Sequence, residues 1–448
     1  MTTGHMTPAE AMPLVELSER IGKYELLEKL GEGTTSTVYR AFDPFAQRDV
    51  AIKLVFPEAL RDKEKGAQFR RMLANEASLA GKLEHPHIVQ IFDAVIDEAQ
   101  SYIVMEYVPG GTLEAHTQPD SLLPLERLVE IIFKCTRALD YAYQNGITHR
   151  DIKPANILLA RPGEGAATGA DIKISDFGTA LQTDADHTQV TGVGSPAYMS
   201  PQQIRNQPLD HQTDIYSLGV VMYQLLTGQL PFKAASNYAL LYQIVNDTAP
   251  PPSTYRSEIP ATLDAIVARA MQKETTARYA SWGEFAHDLA QAFRHQQVQV
   301  KRQAFPDSEK FETLRALVFF RRFSDVEIWE AVRFSRWSDI EPGAALIHDG
   351  EHGDFFGFLI EGDVEIVKQG RVIAPLGVGE CFGEMALIGR KDQSRGADVI
   401  ARTRTKIATI RADALENATD ACRMHFYQAF LEVLTLRLDQ ANIRLSSV

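Results

Sequence analysis

The hydrophobic spacing of this chain switches repeatedly between a two-residue and a helical period, and that switching limits the architectures open to it more than any other feature. From Tyr24 to Val55 the pattern reads as strands with a turn at Asp43-Pro44, and Val50-Ala-Ile-Lys-Leu-Val55 is a compact β-type run. Residues 62–83 place Phe69, Met72, Leu73, Ala77, Ala80 and Leu83 at three- and four-residue intervals, a helical spacing. Two strands follow, around Val89–Val95 and Tyr102–Val108. Beyond Gly110-Gly111 the period becomes helical, with long stretches at Leu125–Gln144, Asp214–Leu226 and Thr262 to Phe293. A polar segment, 294–306, interrupts the pattern, and strands with two-residue alternation return around Phe358, Ile360, Val364 and Ile366. Glycines at 350, 362, 370 and 377 mark turns of a small barrel or roll. A closing helix from about Asp413 lines up Leu415, Cys422, Phe426, Phe430, Leu434 and Leu438. The expected layout is a flexible leader (1–20), a β-rich lobe and a helical lobe together (21–293), a linker (294–310) and a separate unit (311–448).

At 448 residues the chain exceeds one ordinary domain, and 45% apolar with 23% charged residues is globular composition. The net charge of −13 speaks against bulk binding to nucleic acid or anionic membrane. Cys135, Cys381 and Cys422 stand far apart with no CxxC, which excludes a disulfide framework and suits a reducing, cytoplasmic setting. The first twenty residues carry Glu10, Glu16 and Glu19 and no apolar stretch, so they do not read as a signal peptide. No apolar run reaches membrane-spanning length.

Gly31-Glu32-Gly33-Thr34-Thr35-Ser36-Thr-Val38 has the spacing of a loop whose N–H groups close over phosphates. A dinucleotide fold opens with a similar pattern but needs a helix directly after it, whereas Val38-Tyr-Arg-Ala reads as a returning strand. Lys53 follows in an apolar strand, and Glu76, 23 residues on, falls on the next helix. His149-Arg150-Asp151-Ile-Lys153-Pro-Ala-Asn156 and Asp176-Phe177-Gly178 complete an ordered set.

With these motifs the sequence resembles the bacterial, eukaryotic-like Ser/Thr protein kinases over about residues 24–290. The resemblance implies a bilobal kinase fold in a multidomain α+β chain. It implies Asp151 as the carboxylate that orients the substrate hydroxyl, with Lys153 near the γ-phosphate and a Lys53–Glu76 pair on the α- and β-phosphates. Asn156 and Asp176 would hold Mg²⁺ (or Mn²⁺). ATP would lie between the loop at 31–38, Ala51, and a hinge with Met105 as gatekeeper and main-chain contacts at Glu106 and Val108. The implied activity is that of a non-specific protein serine/threonine kinase acting on protein Ser/Thr hydroxyls, its own included. Arg150 implies a phosphorylated activation loop, with Thr188, Thr191 and Thr179 as candidate sites and Ser195 as a platform hydroxyl. One departure is Ser200-Pro201-Gln202, where the family usually has Ala-Pro-Glu; Gln202 is expected to meet Arg278. Asp214 is expected to support the catalytic loop.

Gly379-Glu-Cys-Phe-Gly383-Glu384-Met385-Ala386-Leu387 with Arg395-Gly396-Ala397 resembles the phosphate-binding cassette of cyclic nucleotide-binding domains, over about 311–445. That resemblance implies a β-roll with flanking helices. Glu384 would take the ribose 2′-OH, amides from Gly383 onward the cyclic phosphate, and Arg395 its charge. Gly396, where threonine favours cGMP, tilts the expectation to cAMP. Arg395 lies eleven positions after Glu384, and Ser394 replaces a frequent proline, so a ligand-free docking or homodimerisation module stands as the alternative.

Overall fold

The computed structural model describes residues 20–33, 35–61, 66–79, 81–97, 100–160, 172–177, 181–182, 196–297, 306–384, 394–416 and 418–446. The leader therefore lies outside the described residues, as do Thr34, Thr179, Thr188, Thr191, Ser195, Met385 and Ala386.

The first lobe is a six-stranded antiparallel sheet in the order β1-β2-β3-β4-β6-β5. Its strands are β1 Arg20–Ile21, β2 Tyr24–Glu32, β3 Ser36–Asp43, β4 Arg48–Val55, β5 Ile91–Val95 and β6 Ser101–Glu106. The β3–β4 turn forms where Asp43 Oδ1 accepts the N–H groups of Phe45 and Ala46 at 3.0 and 3.1 Å. Between β4 and β5 the expected single helix is two, α1 Pro57–Arg61 and α2 Gly66–Ser78.

The second lobe holds α3 Leu125–Gln144, β7 Ile147–Thr148, β8 Ile157–Leu159, β9 Ile172–Ile174, β10 Leu181–Gln182, α4 Pro201–Ile204, α5 His211–Thr227, α6 Asn237–Asn246, α7 Ala261–Ala270 and α8 Trp282–Gln297. Every residue of α5 from Thr213 to Thr227 is buried, so this helix is the lobe's central pillar. Gly219 lets α7 approach it: a Cβ there would stand 2.8 Å from the Ala270 Cβ.

The last unit begins with α9 Asp307–Ala316 and α10 Asp325–Phe334. Two four-stranded antiparallel sheets form the roll, in the orders β11-β18-β13-β16 and β12-β17-β14-β15. Their strands are β11 Ser335–Ile340, β12 Ala345–Ile347, β13 Phe355–Glu361, β14 Val364–Lys368, β15 Arg371–Leu376, β16 Cys381–Phe382, β17 Asp398–Ala401 and β18 Thr405–Arg411. The chain then forms α11 Ala412–Glu416 and α12 Asp420–Ser446.

Three sequence expectations are corrected. Helix α8 continues to Gln297 and α9 starts at Asp307, so helix occupies both ends of the stretch assigned to a linker; a polar segment without apolar period can still be helical. The closing helix is two helices. Its apolar series turns away from the core: Cys422, Phe426 and Phe430 are fully buried, yet Leu438 is 62% exposed. A strict four-residue step drifts about 40° per repeat on a helix of 3.6 residues per turn, which rotates the later members off the packed face.

The last unit is packed on the second lobe, and one hydrophobic cluster runs through both. Trp329 of α10 stacks edge-on against His87 at 4.9 Å, and Phe311 of α9 lies 6.2 Å from Phe133 of α3. Around this apolar contact α3 contributes three buried charges, Glu130, Lys134 and Arg137. Glu130 accepts from Ser308 N and Oγ at 3.0 and 2.7 Å, Lys134 meets Asp307 at 3.1 Å, and Arg137 pairs with Asp325. Removing one partner of such a pair is costlier than the pair is favourable, because the other is left unpaired out of water.

Trp329→Ala should therefore cost about 3–5 kcal/mol and lower the melting of the first two lobes together with that of the roll. Calorimetry checks this; a transition of the first two lobes that stays in place while the roll melts early would contradict the shared core.

Candidate active site

Strand β4 presents Lys53, paired in register with Val38 of β3, which in turn pairs with Gly31 of β2. Ala51 on the same strand is buried and faces Met105 of β6, while Glu106 N–H donates to Gln90 O at 2.8 Å and so is spent inside the sheet. Lys53 Nζ lies 3.0 Å from Glu76 Oε2 of α2 and 2.6 Å from Asp176 Oδ1. Burial works against the ammonium, but Asp176 and Glu76 outweigh it and hold the Lys53 pKa above its ordinary value. Asp176, with the shorter contact, is lowered to about 2 by Lys53. Glu76 is raised, by burial first and by repulsion from Asp176, which the more distant ammonium does not cancel.

The catalytic loop is built from below. Asp214, at the start of α5, accepts the N–H groups of His149 and Arg150, both at 2.7 Å. Burial raises its pKa, while His149 and these two N–H donors oppose that. His149 Nδ1 accepts from Asp151 N at 3.3 Å and its Nε2 faces Ser175 O at 2.9 Å, so the proton sits on Nε2. The ring also packs 4.5 Å from Phe177, which is buried. Arg150 and Asp176 adopt φ of 70° and 65°, a left-handed backbone unusual for these residues. Such strain persists only where surrounding contacts overdetermine it.

Lys153 Nζ contacts Asp151 Oδ2 at 2.6 Å, and Asn156 Nδ2 donates to Asp151 O at 2.8 Å. Ser175 N donates to Asn156 O at 2.9 Å, so the β8–β9 hairpin sets Asn156 beside Asp176. With its amide nitrogen spent on the loop, Asn156 has its side-chain oxygen for a cation, and Asp176 supplies a carboxylate. Two hard oxygen donors fit Mg²⁺, which commonly completes its octahedron with water and substrate phosphate. Among the described residues no cluster of three or more His, Cys, Asp or Glu could hold a metal without such help.

Arg150 is buried, and its Nε and Nη1 have no hydrogen-bond partner among the described residues. The candidate phosphosites Thr179, Thr188 and Thr191 that it would serve lie outside them. Gln202 meets Arg278 at 3.2 Å, and Arg278 is otherwise held by main-chain oxygens of Gln272 and Gln212. Sequence reasoning passed over Gln203. Its amide donates to Arg150 O at 2.9 Å and its oxygen caps Ser200 N at 2.8 Å, tying the platform helix α4 to the catalytic loop. The Ser200-Pro-Gln-Gln203 capping-box pattern was the available signal.

In the roll, Glu384 and Arg395 are both buried and both engaged within the chain. Arg395 donates to Gly383 O at 3.0 Å and Phe355 O at 2.7 Å, and lies 4.8 Å over the Phe355 ring. Gly383 has φ +75°, and a Cβ there would fall 2.8 Å from Arg395 Nη1. Gly396 and Ala397 follow Arg395 in the turn before β17. Glu384 receives Arg437 Nη1 from α12 at 2.6 Å, a partner that nothing in the local motif announces.

The protein kinase domain model matches residues 24–295, and the cyclic nucleotide-binding domain model matches 338–422. The chain is 40% identical over 275 residues to the serine/threonine-protein kinase PknB of Mycobacterium leprae, covering 60% of this chain and 42% of that protein. It is 38% identical over 275 residues to PknB of Mycobacterium tuberculosis (60% and 42%). A probable serine/threonine-protein kinase of Clostridium acetobutylicum is 35% identical over 271 residues (60% and 39%). The chain thus spans about two fifths of the length of these curated relatives. A crystal structure of the PknI kinase domain of Mycobacterium tuberculosis, a double mutant, aligns with a TM-score of 0.50 at 26% identity, over 63% of this chain and all of that one.

The Asp176 carboxylate, depressed by Lys53, contributes stability that is fully present above pH ~4 and is lost as pH falls toward about 2. Lys53→Met should therefore differ from the parent in urea midpoint at pH 4 and converge on it toward pH 2. A constant difference across that range would mean that the lysine does not hold this carboxylate. Asp214→Asn should cost about 1–3 kcal/mol by leaving one of two buried N–H donors without an acceptor, checked by the same denaturation. With its sheet, hinge, paired lysine and braced loop in kinase order, and the domain match spanning 24–295, the chain belongs to the protein kinase family, here followed by a cyclic nucleotide-binding β-roll.

Proposed function

We propose that this chain is an ATP-dependent protein serine/threonine kinase whose output is set by a cyclic nucleotide bound in the C-terminal roll. The observation that carries the catalytic half is the arrangement of Lys53 between Glu76 and Asp176, together with Lys153 on Asp151. In this reading the substrate hydroxyl oxygen bonds to the γ-phosphorus as the bond to the β–γ bridging oxygen breaks, and ADP leaves. Asp151 orients the hydroxyl and receives its proton. Lys153 offsets charge gathering on the γ-phosphoryl oxygens, and Lys53 holds the α- and β-phosphates in line. Mg²⁺, held by Asn156 and Asp176 when bound, neutralises phosphate charge. The fit of lysine at 153, two residues after the aspartate, supports Ser and Thr hydroxyls as acceptors. Proteins bearing such side chains, this chain included, are the substrates.

The regulatory half rests on Arg395, which donates to the main-chain oxygen of Gly383 next to Glu384, so that a cation for a cyclic phosphate and an acceptor for a sugar hydroxyl meet at one segment. cAMP is the proposed effector, with cGMP as the comparison. A second reading is favoured by one observation: both side chains already have partners inside the chain. On that reading the roll is a ligand-free interaction or dimerisation module beside an active kinase.

Asp151→Asn should lower phosphate incorporation from MgATP into a generic protein substrate by at least about 100-fold with the fold intact. Equal incorporation by both proteins would refute catalysis at this site. Arg395→Ala should weaken cAMP binding measured by calorimetry and abolish any cAMP effect on autophosphorylation. Unaltered affinity and activity would select the ligand-free reading.

A further inference from the structure

We propose that Trp329, on α10 of the last unit, is a positioning residue for Asp176: it clamps His87, and His87 holds the strand that presents that carboxylate. The proposal rests on the reading of Asp176 as a magnesium ligand and adds a support for it from outside the catalytic lobes. Trp329 lies between the stretches matched by the two domain models, 24–295 and 338–422, so neither likeness assigns it a part.

Asp176 needs holding from two sides, because its left-handed backbone persists only under constraint. Lys53 draws the carboxylate from one side at 2.6 Å. The main chain reaches it from β9, a strand of three residues paired with the equally short β8. So brief a hairpin is a weak anchor by itself. Its other edge is bonded by segment 85–89, which follows α2 and hence Glu76. Ile174 N donates to His87 O and Val89 N to Ile174 O, both at 2.9 Å, and Ile88 forms a parallel bridge with Ile174. The His87 ring adds a third bond, from Nδ1 to Ile172 O at 3.1 Å. A carbonyl oxygen only accepts, so Nδ1 carries the proton in that bond.

The last unit supplies the clamp on that ring. His87 and Trp329 are both buried, and they meet edge-on at 4.9 Å with their planes 88° apart. Trp329 is itself wedged in place. Phe311 of α9 lies 4.5 Å from it and Phe133 of α3 6.4 Å, and Lys134 Nζ stands 5.9 Å over its ring. An indole packed this closely leaves the imidazole little room to turn away from Ile172 O. A smaller side chain opens a cavity beside the imidazole, which then reaches rotamers that lose the bond to β9. Strand β9 carries Asp176 at its far end, while Asn156 precedes β8. Once β9 is loosened, the two oxygens that share the cation no longer stand at one separation. Groups that orient a metal's ligands govern its affinity in this way.

The test uses the full-length chain with MgATP and a generic protein substrate, at a temperature where circular dichroism shows each variant folded. Trp329→Leu should raise the Mg²⁺ concentration for half-maximal transfer about tenfold, with the KM for the protein substrate in place. Trp329→Phe, which keeps an aromatic ring against His87, should return the Mg²⁺ requirement to the parent value. His87→Phe keeps a ring but removes the donor to Ile172 O. It should reproduce the shift of Trp329→Leu, and it decides the matter if that variant does not fold. An unmoved Mg²⁺ requirement in Trp329→Leu or His87→Phe, or an equal rise in Trp329→Phe and Trp329→Leu, overturns the proposal and leaves the catalytic reading standing. Should the parent transfer no phosphate, or Asp176→Asn use Mg²⁺ as the parent does, the catalytic reading fails first and the role of Trp329 falls with it.

Discussion

A charge taken out of water must be answered by another charge or by hydrogen bonds, and this one constraint recurs at every level of the molecule. Asp214 answers two buried N–H groups, those of His149 and Arg150, and so shapes the loop that carries Asp151. Lys53 answers two carboxylates at once and thereby joins α2 to the residues around Asp176. Glu130, Lys134 and Arg137 answer Ser308, Asp307 and Asp325 and so join the catalytic lobes to the roll. In each case the hydrophobic core sets proximity, and the polar pair selects one arrangement among the many that the core would accept.

Much of the catalytic lobe was legible because its chemistry is written in short ordered motifs. Lys53 lies on a strand and Glu76, 23 residues on, lies on the next helix, where patterning puts them, and the two side chains meet. Two-residue alternation and glycine turns also pointed to a small barrel or roll, without its division into two sheets. What patterning missed is long range. Arg437 and Glu384 are 53 residues apart, and the contacts of α3 with the last unit span more than 170. No local spacing encodes such pairs. The sign that something was there lay in α3 itself, where Glu130, Lys134 and Arg137 recur at helical intervals on a segment otherwise apolar enough to be buried all round. A charged series on such a helix marks a face waiting for counter-charges from elsewhere.

The terminal helix teaches a different lesson. Its apolar residues recur at steps of four, which do not close on one side of a helix with 3.6 residues per turn. The drift carries Leu438 into solvent and brings the polar fork of Arg437 round to the cassette instead. Register error on a long helix thus converts directly into a missed long-range contact.

The charged face of α3 also bears on how such a protein can change over generations. A catalytic unit that buries three ionic side chains against its companion is no longer an interchangeable cassette. Recombination that swapped either half for a homologous one would strand those ions inside a greasy seam. Drift at any of the three positions is tolerable only alongside a matching change across the seam, so the two halves are committed to descend together.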